Sequence, residues 1–254
     1  MKHNQFFGLF MARYLVWIIG PIERLLVGRV SPNAITAISL MMCVLSGVAA
    51  AMGQIGGAVW LYTIAGILDI VDGRLARLQN KQTTSGALFD SVSDRWGELV
   101  IFIGYAWYLR DTVWLLAVMA ALGGSMMVSY TRARAEGLKV ETSGGLMQRA
   151  ERIFLCAVGS MLGAWYGTNP NSPTAAEDCM TIIGGTMALL AIASTVTAVN
   201  RWIIAYRILA ARDAAKLGPV IEDAPPAQEK VPSRPAEIFA PVPKSLRESA
   251  ELPL

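Results

Sequence analysis

The sequence predicts an all-α integral membrane protein: six transmembrane helices preceded by an amphipathic helix lying in the membrane interface. Three observations lead there. Hydrophobic residues make up 54% of the 254 and charged residues only 16%, too few charges to cover a soluble protein of this length. The apolar residues are also blocked together, with uncharged runs at Ser31–Leu68, Thr112–Thr131, Ile153–Ala176 and Cys179–Asn200, and a crossing takes about 20 consecutive apolar residues. Finally, these runs lack the charged stripe at helical spacing of a soluble bundle and the short polar–apolar alternation of a β-barrel strand.

In chain order, residues 5–28 mix Phe6, Phe7, Leu9, Phe10, Trp17 and Ile18 with Arg13, Glu23 and Arg24, a composition suited to a helix lying in the interface. Pro21, Glu23 and Arg24 argue against a crossing there. No cleavable signal is evident, so insertion is expected to be directed by the membrane helices themselves. Those helices are placed at about residues 34–53, 57–79, 86–109, 112–136, 150–167 and 179–208. The first two share one uncharged run, divided at Met52–Gly57. From about Ala214 the chain turns Pro-rich and polar, with Pro225, Pro226, Pro232, Pro235, Pro241 and Pro243 among charges, and is expected to be a disordered tail. The expected organisation is thus an interfacial segment over 1–30, a six-helix membrane domain over 31–213 and a tail over 214–254.

Lys and Arg concentrate in the N-terminal segment, the 79–86 turn, the 132–152 stretch and the tail, whereas the connections near 54, 110 and 168–178 carry only Arg110. By the positive-inside rule both termini and the 79–86 turn face the cytoplasm. The net charge of +3 adds little to this, and no nucleic-acid partner is expected. Cys43, Cys156 and Cys179 lack metal-ligand spacing and read as small packing residues.

The chemistry concentrates in Asp69-Ile-Val-Asp-Gly-Arg-Leu-Ala-Arg77 and Gly86-Ala-Leu-Phe-Asp-Ser-Val-Ser-Asp94. Asp69 and Asp72 are three apart, Asp90 and Asp94 four apart, so each pair projects from one face of its helix toward the other. Four carboxylates at the cytoplasmic end of a hairpin repel one another unless cations neutralise them. Hard oxygen ligands favour magnesium or manganese, and two such ions can clamp a phosphate through an in-line displacement. Gly73 removes a side chain where a phosphate-bearing ligand must come close, Ala76 keeps that face open, and Arg77 can balance phosphate charge. Salt bridges to Arg74, Arg77, Lys81 and Arg95 are the structural alternative, which the joint spacing disfavours.

The order Asp69, Asp72-Gly73, Ala76-Arg77, Gly86, Asp90, Asp94 resembles the complete signature of the CDP-alcohol phosphatidyltransferases, and the resemblance in helix count extends over about residues 5–210. The resemblance implies two bound divalent cations, Mg2+ or Mn2+, held by Asp69, Asp72 and Asp90, with Asp94 at the second metal as general base. It implies attack of an acceptor hydroxyl on the β-phosphorus of CDP-diacylglycerol with release of CMP. It places Gly73, Arg77 and Gly86 beside the CDP group, together with Asn33 and Thr36 of the Pro32–Thr36 segment. That segment is equally an ordinary helix start.

Ser129-Tyr-Thr-Arg132-Ala-Arg134-Ala-Glu136 and Arg149-Ala-Glu-Arg152 bring further arginines to the same face. Singly these are topology signals; paired at short spacing, with Arg201 on the last helix, they form a candidate anion pocket, since guanidinium binds phosphate oxygens bidentately. The pattern resembles the phosphatidylinositol-phosphate and archaetidylinositol-phosphate synthase branch. That resemblance implies inositol 1-phosphate as acceptor, its phosphate held by Ser129, Arg132, Arg134, Arg152 and Arg201. Ala150 departs from the proline common in that branch. Glycerol 3-phosphate, the acceptor of phosphatidylglycerophosphate synthases, is the alternative. A divalent-cation transporter is a remote one, because arginines beside a cation path would raise its barrier. The expected setting is a prokaryotic plasma membrane with the active site cytoplasmic. A homodimer is expected, with Gly123, Gly124 and Ser125 as small residues permitting close helix contact.

Overall fold

The structure, a computed structural model, describes residue 20 and residues 26–142, 147–169 and 172–217. Six helices follow one another: α1 Pro32–Ala51, α2 Ile55–Leu78, α3 Thr84–Tyr108, α4 Trp114–Gly137, α5 Arg149–Gly167 and α6 Ala175–Leu217. Each expected helix is present, most within two residues of its expected ends. The last runs nine residues further than expected, past the 213 boundary. The interfacial helix over 5–28 falls almost wholly outside the described residues, as does the tail beyond Leu217. The compact helical unit reaches Ala211; of the second unit, Arg212–Leu254, the described part is the helical end of α6.

By length and composition α1, α2, α4 and α6 are able to cross a membrane. Helix α3 falls short because Asp90, Asp94, Arg95 and Glu98 crowd its first half, and α5 because it opens on Arg149, Glu151 and Arg152. Those charges are the ones that build the site.

Helix α1 shows how the sequence solves packing in lipid. Ser31 caps it, its hydroxyl accepting from the amide of Ala34, and Pro32 occupies the first turn where no amide partner is needed. One face carries Ser39, Cys43, Ser46, Gly47 and Ala50, all buried. The opposite face turns Ile38, Met41, Leu45 and Val48 outward, each 44–60% exposed. Small residues inside and bulky apolar ones outside invert the soluble pattern and fit a hydrocarbon surround.

The small face lets backbones meet. A Cβ at Gly104 of α3 would run into the carbonyl of Gly47, and one at Gly47 would lie 2.6 Å from the carbonyl oxygen of Val100. Along the α1–α2 hairpin the hydroxyls of Ser46, Ser39 and Thr36 donate to Ala58 O at 2.7 Å, Ala65 O at 2.9 Å and Asp72 Oδ2 at 2.6 Å. This antiparallel ladder fixes the register of the hairpin and brings the start of α1 to the end of α2. A Gly53 turn at φ +76° closes it.

Tyr105 of α3 donates to Ser160 of α5 at 2.7 Å, within a core built on Val59, Tyr62, Ile101, Tyr105, Ile183 and Met187. All three cysteines are free and buried in that core. Of the small residues expected at a dimer contact, Ser125 is fully buried and Gly124 packs on Ser194 and Thr195 of the same chain, so only Gly123 faces open space.

Candidate active site

The turn after α2 returns the chain so that the second half of α2 faces the first half of α3. Asn80 takes a positive φ of 51° in this turn, and the Thr83 hydroxyl caps α3 by accepting from Gly86 N at 3.0 Å. Asp69 and Asp72 thereby meet Asp90, with one carboxylate oxygen of each within 4.8 Å of the others. Asp72 is buried and held by Thr36. Oδ1 of Asp90 is buried with no hydrogen-bond partner among the described residues. Three hard oxygen donors, one of them orphaned, fit a magnesium or manganese ion.

Asp94 stands beside this trio rather than in it. Its Oδ2 meets Nη1 of Arg149 and, at 3.2 Å, Nη1 of Arg95. The other terminal nitrogen of Arg149 reaches Asp69 Oδ1 at 3.4 Å. One guanidinium from the start of α5 therefore links the carboxylate trio to the fourth aspartate.

The residues expected around the nucleotide frame this cluster. A Cβ on Gly73 would meet nothing within 4 Å, so the surface there is open, and Arg77 lies exposed one turn on. At Gly86 a Cβ would sit 2.9 Å from the capping oxygen of Thr83 and 3.4 Å from Oδ1 of Asn33. The cap alone therefore accounts for glycine at that position.

Among the arginines, Arg152 is 4% exposed and gripped by Glu98 of α3: Nε to Oε1 at 2.9 Å and Nη2 to Oε2 at 3.3 Å. Arg201 is also buried and donates to the carbonyl of Val128 on α4 at 3.1 Å. Arg132 and Arg152 are both close enough to act electrostatically on Arg201 and on Arg95, so helices α3, α4, α5 and α6 converge on one basic group. Ser129, half-buried, lies one turn before Arg132, which pairs with Glu136 at 2.8 Å. A cavity of about 520 Å3 borders Arg132, Glu136, Lys139 and Thr142.

Arg134 was expected in the same pocket. Two residues beyond Arg132 it sits about 200° around α4, and like Arg132 it is exposed. Two contributors escaped the sequence reading. In the sequence Arg149 is one of several arginines, and only the fold makes it the partner of two aspartates. The signal for Glu98 is its spacing: Asp90, Asp94 and Glu98 recur every four residues along one face of α3.

A family model described as CDP-alcohol phosphatidyltransferase matches residues 29–197, well over half of the chain and all of this site except Arg201. The chain belongs to this family. Within the family it is similar to an archaetidylinositol phosphate synthase of Methanothermobacter thermautotrophicus, 38% identical over 49% of this chain and 62% of that one. The matched stretch is thus less than two thirds of the archaeal protein. A phosphatidylinositol phosphate synthase of Cutibacterium acnes is 29% identical over 75% of this chain and 93% of its own. In three dimensions the chain is similar to the Mycobacterium tuberculosis phosphatidylinositol phosphate synthase with CDP-DAG bound: TM-score 0.63 and 27% identity, covering 73% of this chain and 92% of that one. The same mycobacterial protein in complex with manganese and citrate matches with TM-score 0.62 at 27% identity, over 73% and 88% of the two chains. A family member with these carboxylates is an enzyme, which sets aside the transporter alternative.

Proposed function

We propose that this enzyme transfers the phosphatidyl group of CDP-diacylglycerol to a hydroxyl of inositol 1-phosphate and releases CMP. The observation that carries the reading is the adjacency of two opposite clusters. Asp69, Asp72, Asp90 and Asp94 lie on the α2–α3 hairpin, and the basic group of Arg132, Arg152 and Arg201 lies next to it. The first suits a diphosphate through bridging cations, the second a phosphate on the acceptor. The similarity to inositol-phosphate-type synthases of archaea and bacteria supports the choice of acceptor.

Asp69, Asp72 and Asp90 would hold the divalent cations, which supply charge neutralisation on the diphosphate. Asp94, once released from Arg149, takes the proton of the acceptor hydroxyl. The freed oxygen attacks the β-phosphorus, a new phosphorus–oxygen bond forms, and the bond to CMP breaks. The open surface at Gly73, with Asn33, Thr36, Arg77 and Gly86 around it, receives the CDP group. Arg132, Arg152 and Arg201, with Ser129, orient the acceptor through its phosphate. Arg134, the fifth residue expected there, lies about 200° around α4 from Arg132.

In this reading all six helices cross a prokaryotic plasma membrane. The termini, the 79–86 turn and the active site face the cytoplasm, and acyl chains of the donor lie between helices in the bilayer. A homodimer would use the open face at Gly123. The test is CMP release by the purified protein with CDP-diacylglycerol and Mg2+, offering inositol 1-phosphate, glycerol 3-phosphate, inositol or serine. Release with inositol 1-phosphate supports the proposal, and release with glycerol 3-phosphate instead overturns the acceptor while keeping the metal chemistry.

A further inference from the structure

We propose that Glu98 is a positioning residue that determines acceptor specificity by fixing Arg152 at a set distance from the base Asp94. The inference rests on the reading of Arg152 as an acceptor-phosphate ligand.

The pair is buried on both sides, Glu98 at 9% and Arg152 at 4% exposure. A buried ion pair gives little stability over a well-packed apolar pair, because desolvation offsets the attraction. Stability alone therefore does not account for it. What the pair does is commit the guanidinium. Of the five N–H donors of an arginine, Nε and one on Nη2 go to Glu98, and one on Nη1 goes to the carbonyl of Met147 at 3.3 Å. The terminal donors left over can meet a phosphate, and the side chain has no freedom to present them elsewhere.

Charge gives a second reason. Arg152 lies among Arg95, Arg132 and Arg201, all of one sign. The Glu98 carboxylate acts on Arg95 as well as on Arg152, so it offsets repulsion that would drive the arginines apart before a phosphate arrives.

Position supplies the specificity. Glu98 follows Asp94 by one helical turn, a rise of about 6 Å on the same face of α3. The base and the anchor for Arg152 are thus carried by one rigid element. That spacing selects acceptors whose reacting hydroxyl lies the matching distance from their phosphate.

The experiment measures CMP release against acceptor and donor concentration for the full-length wild type, E98Q, E98D and R152A. Wild-type turnover with inositol 1-phosphate tests the acceptor reading first, and its absence would sink that reading independently of Glu98. Given turnover, E98Q should raise the KM for inositol 1-phosphate about tenfold or more while leaving the KM for CDP-diacylglycerol within twofold. In an R152A background E98Q should add nothing, since both changes act through one guanidinium. E98D keeps the charge but withdraws it by one methylene. It should lower the kcat/KM ratio of inositol 1-phosphate over glycerol 3-phosphate, and it serves if E98Q does not fold. Equal loss for donor and acceptor, or a folded E98D with unaltered acceptor KM and ratio, would overturn the proposal.

Discussion

Arg149 occupies the position a cation would be drawn to. Its guanidinium joins Asp69 and Asp94, with exposures of 27% for the arginine and 19% and 13% for the two acids. Its Nε is buried without a hydrogen-bond partner among the described residues, an arrangement that leaves a donor unmet until a ligand oxygen arrives. If Asp69 ligates one cation and Asp94 serves the second, loading must break or loosen both ion pairs. At about 1 kcal/mol for each mostly buried pair, the opposition is about 2 kcal/mol, or about 30-fold in Kd. Arg149→Gln should therefore bind Mn2+ about 30-fold more tightly than wild type, as read by titration calorimetry or by loss of the free Mn2+ resonance in detergent solution. Turnover should nonetheless fall, because the guanidinium also stands ready for a substrate phosphate. Manganese affinity unchanged or weakened in a folded Arg149→Gln protein would refute the idea that the arginine and the cation compete.

Other substitutions probe the remaining parts. Asp94→Asn should lower kcat by about 10^2 to 10^4, the range of a lost general base, with CDP-diacylglycerol binding kept; near-normal turnover would remove Asp94 from the chemistry. Thr36→Val deletes a hydrogen bond to the buried Asp72 carboxylate, worth about 1.5–3 kcal/mol to a charged acceptor. The thermal midpoint should drop and Thr36→Ser should restore it; equal midpoints for the Val and Ser variants would contradict the role. Gly104→Ala drives a Cβ into the Gly47 carbonyl, an overpacking cost of about 1–3 kcal/mol. A lowered melting temperature is expected there, while Gly123→Ala, facing open space, should leave it unchanged.

The parts of the site legible in the sequence were those that lie within one helix. Asp69 and Asp72 share a face because they are three apart, and Asp90 and Asp94 because they are four apart. The hairpin between them was legible because uncharged runs bracket it. What was not legible is what crosses between helices. The ion pair of Glu98 with Arg152 joins positions 54 residues apart, and nothing in either segment names the other. The same holds for Arg149, whose neighbours in sequence say nothing of Asp69 eighty residues earlier. Arg134 shows how little closeness in sequence fixes: it stands two residues from Arg132, yet about 200° around α4 from it.

The charges that keep α3 and α5 from reading as continuous apolar spans are also the ones that make the site. Asp90, Asp94, Arg95 and Glu98 lie on α3 and Arg149 and Arg152 on α5, and every ion pair described for Arg149 and Arg152 runs from α5 to α2 or α3. Charges beside apolar spans are costly, and these ion pairs offset part of that cost. It is this pairing that a dianionic phosphate and divalent cations would exchange for their own contacts. Site and fold therefore draw on one set of charges. A substitution that neutralises one member, such as Arg149→Gln or Glu98→Gln, should unbalance its partner before it disturbs the apolar packing around Tyr105 and Met187.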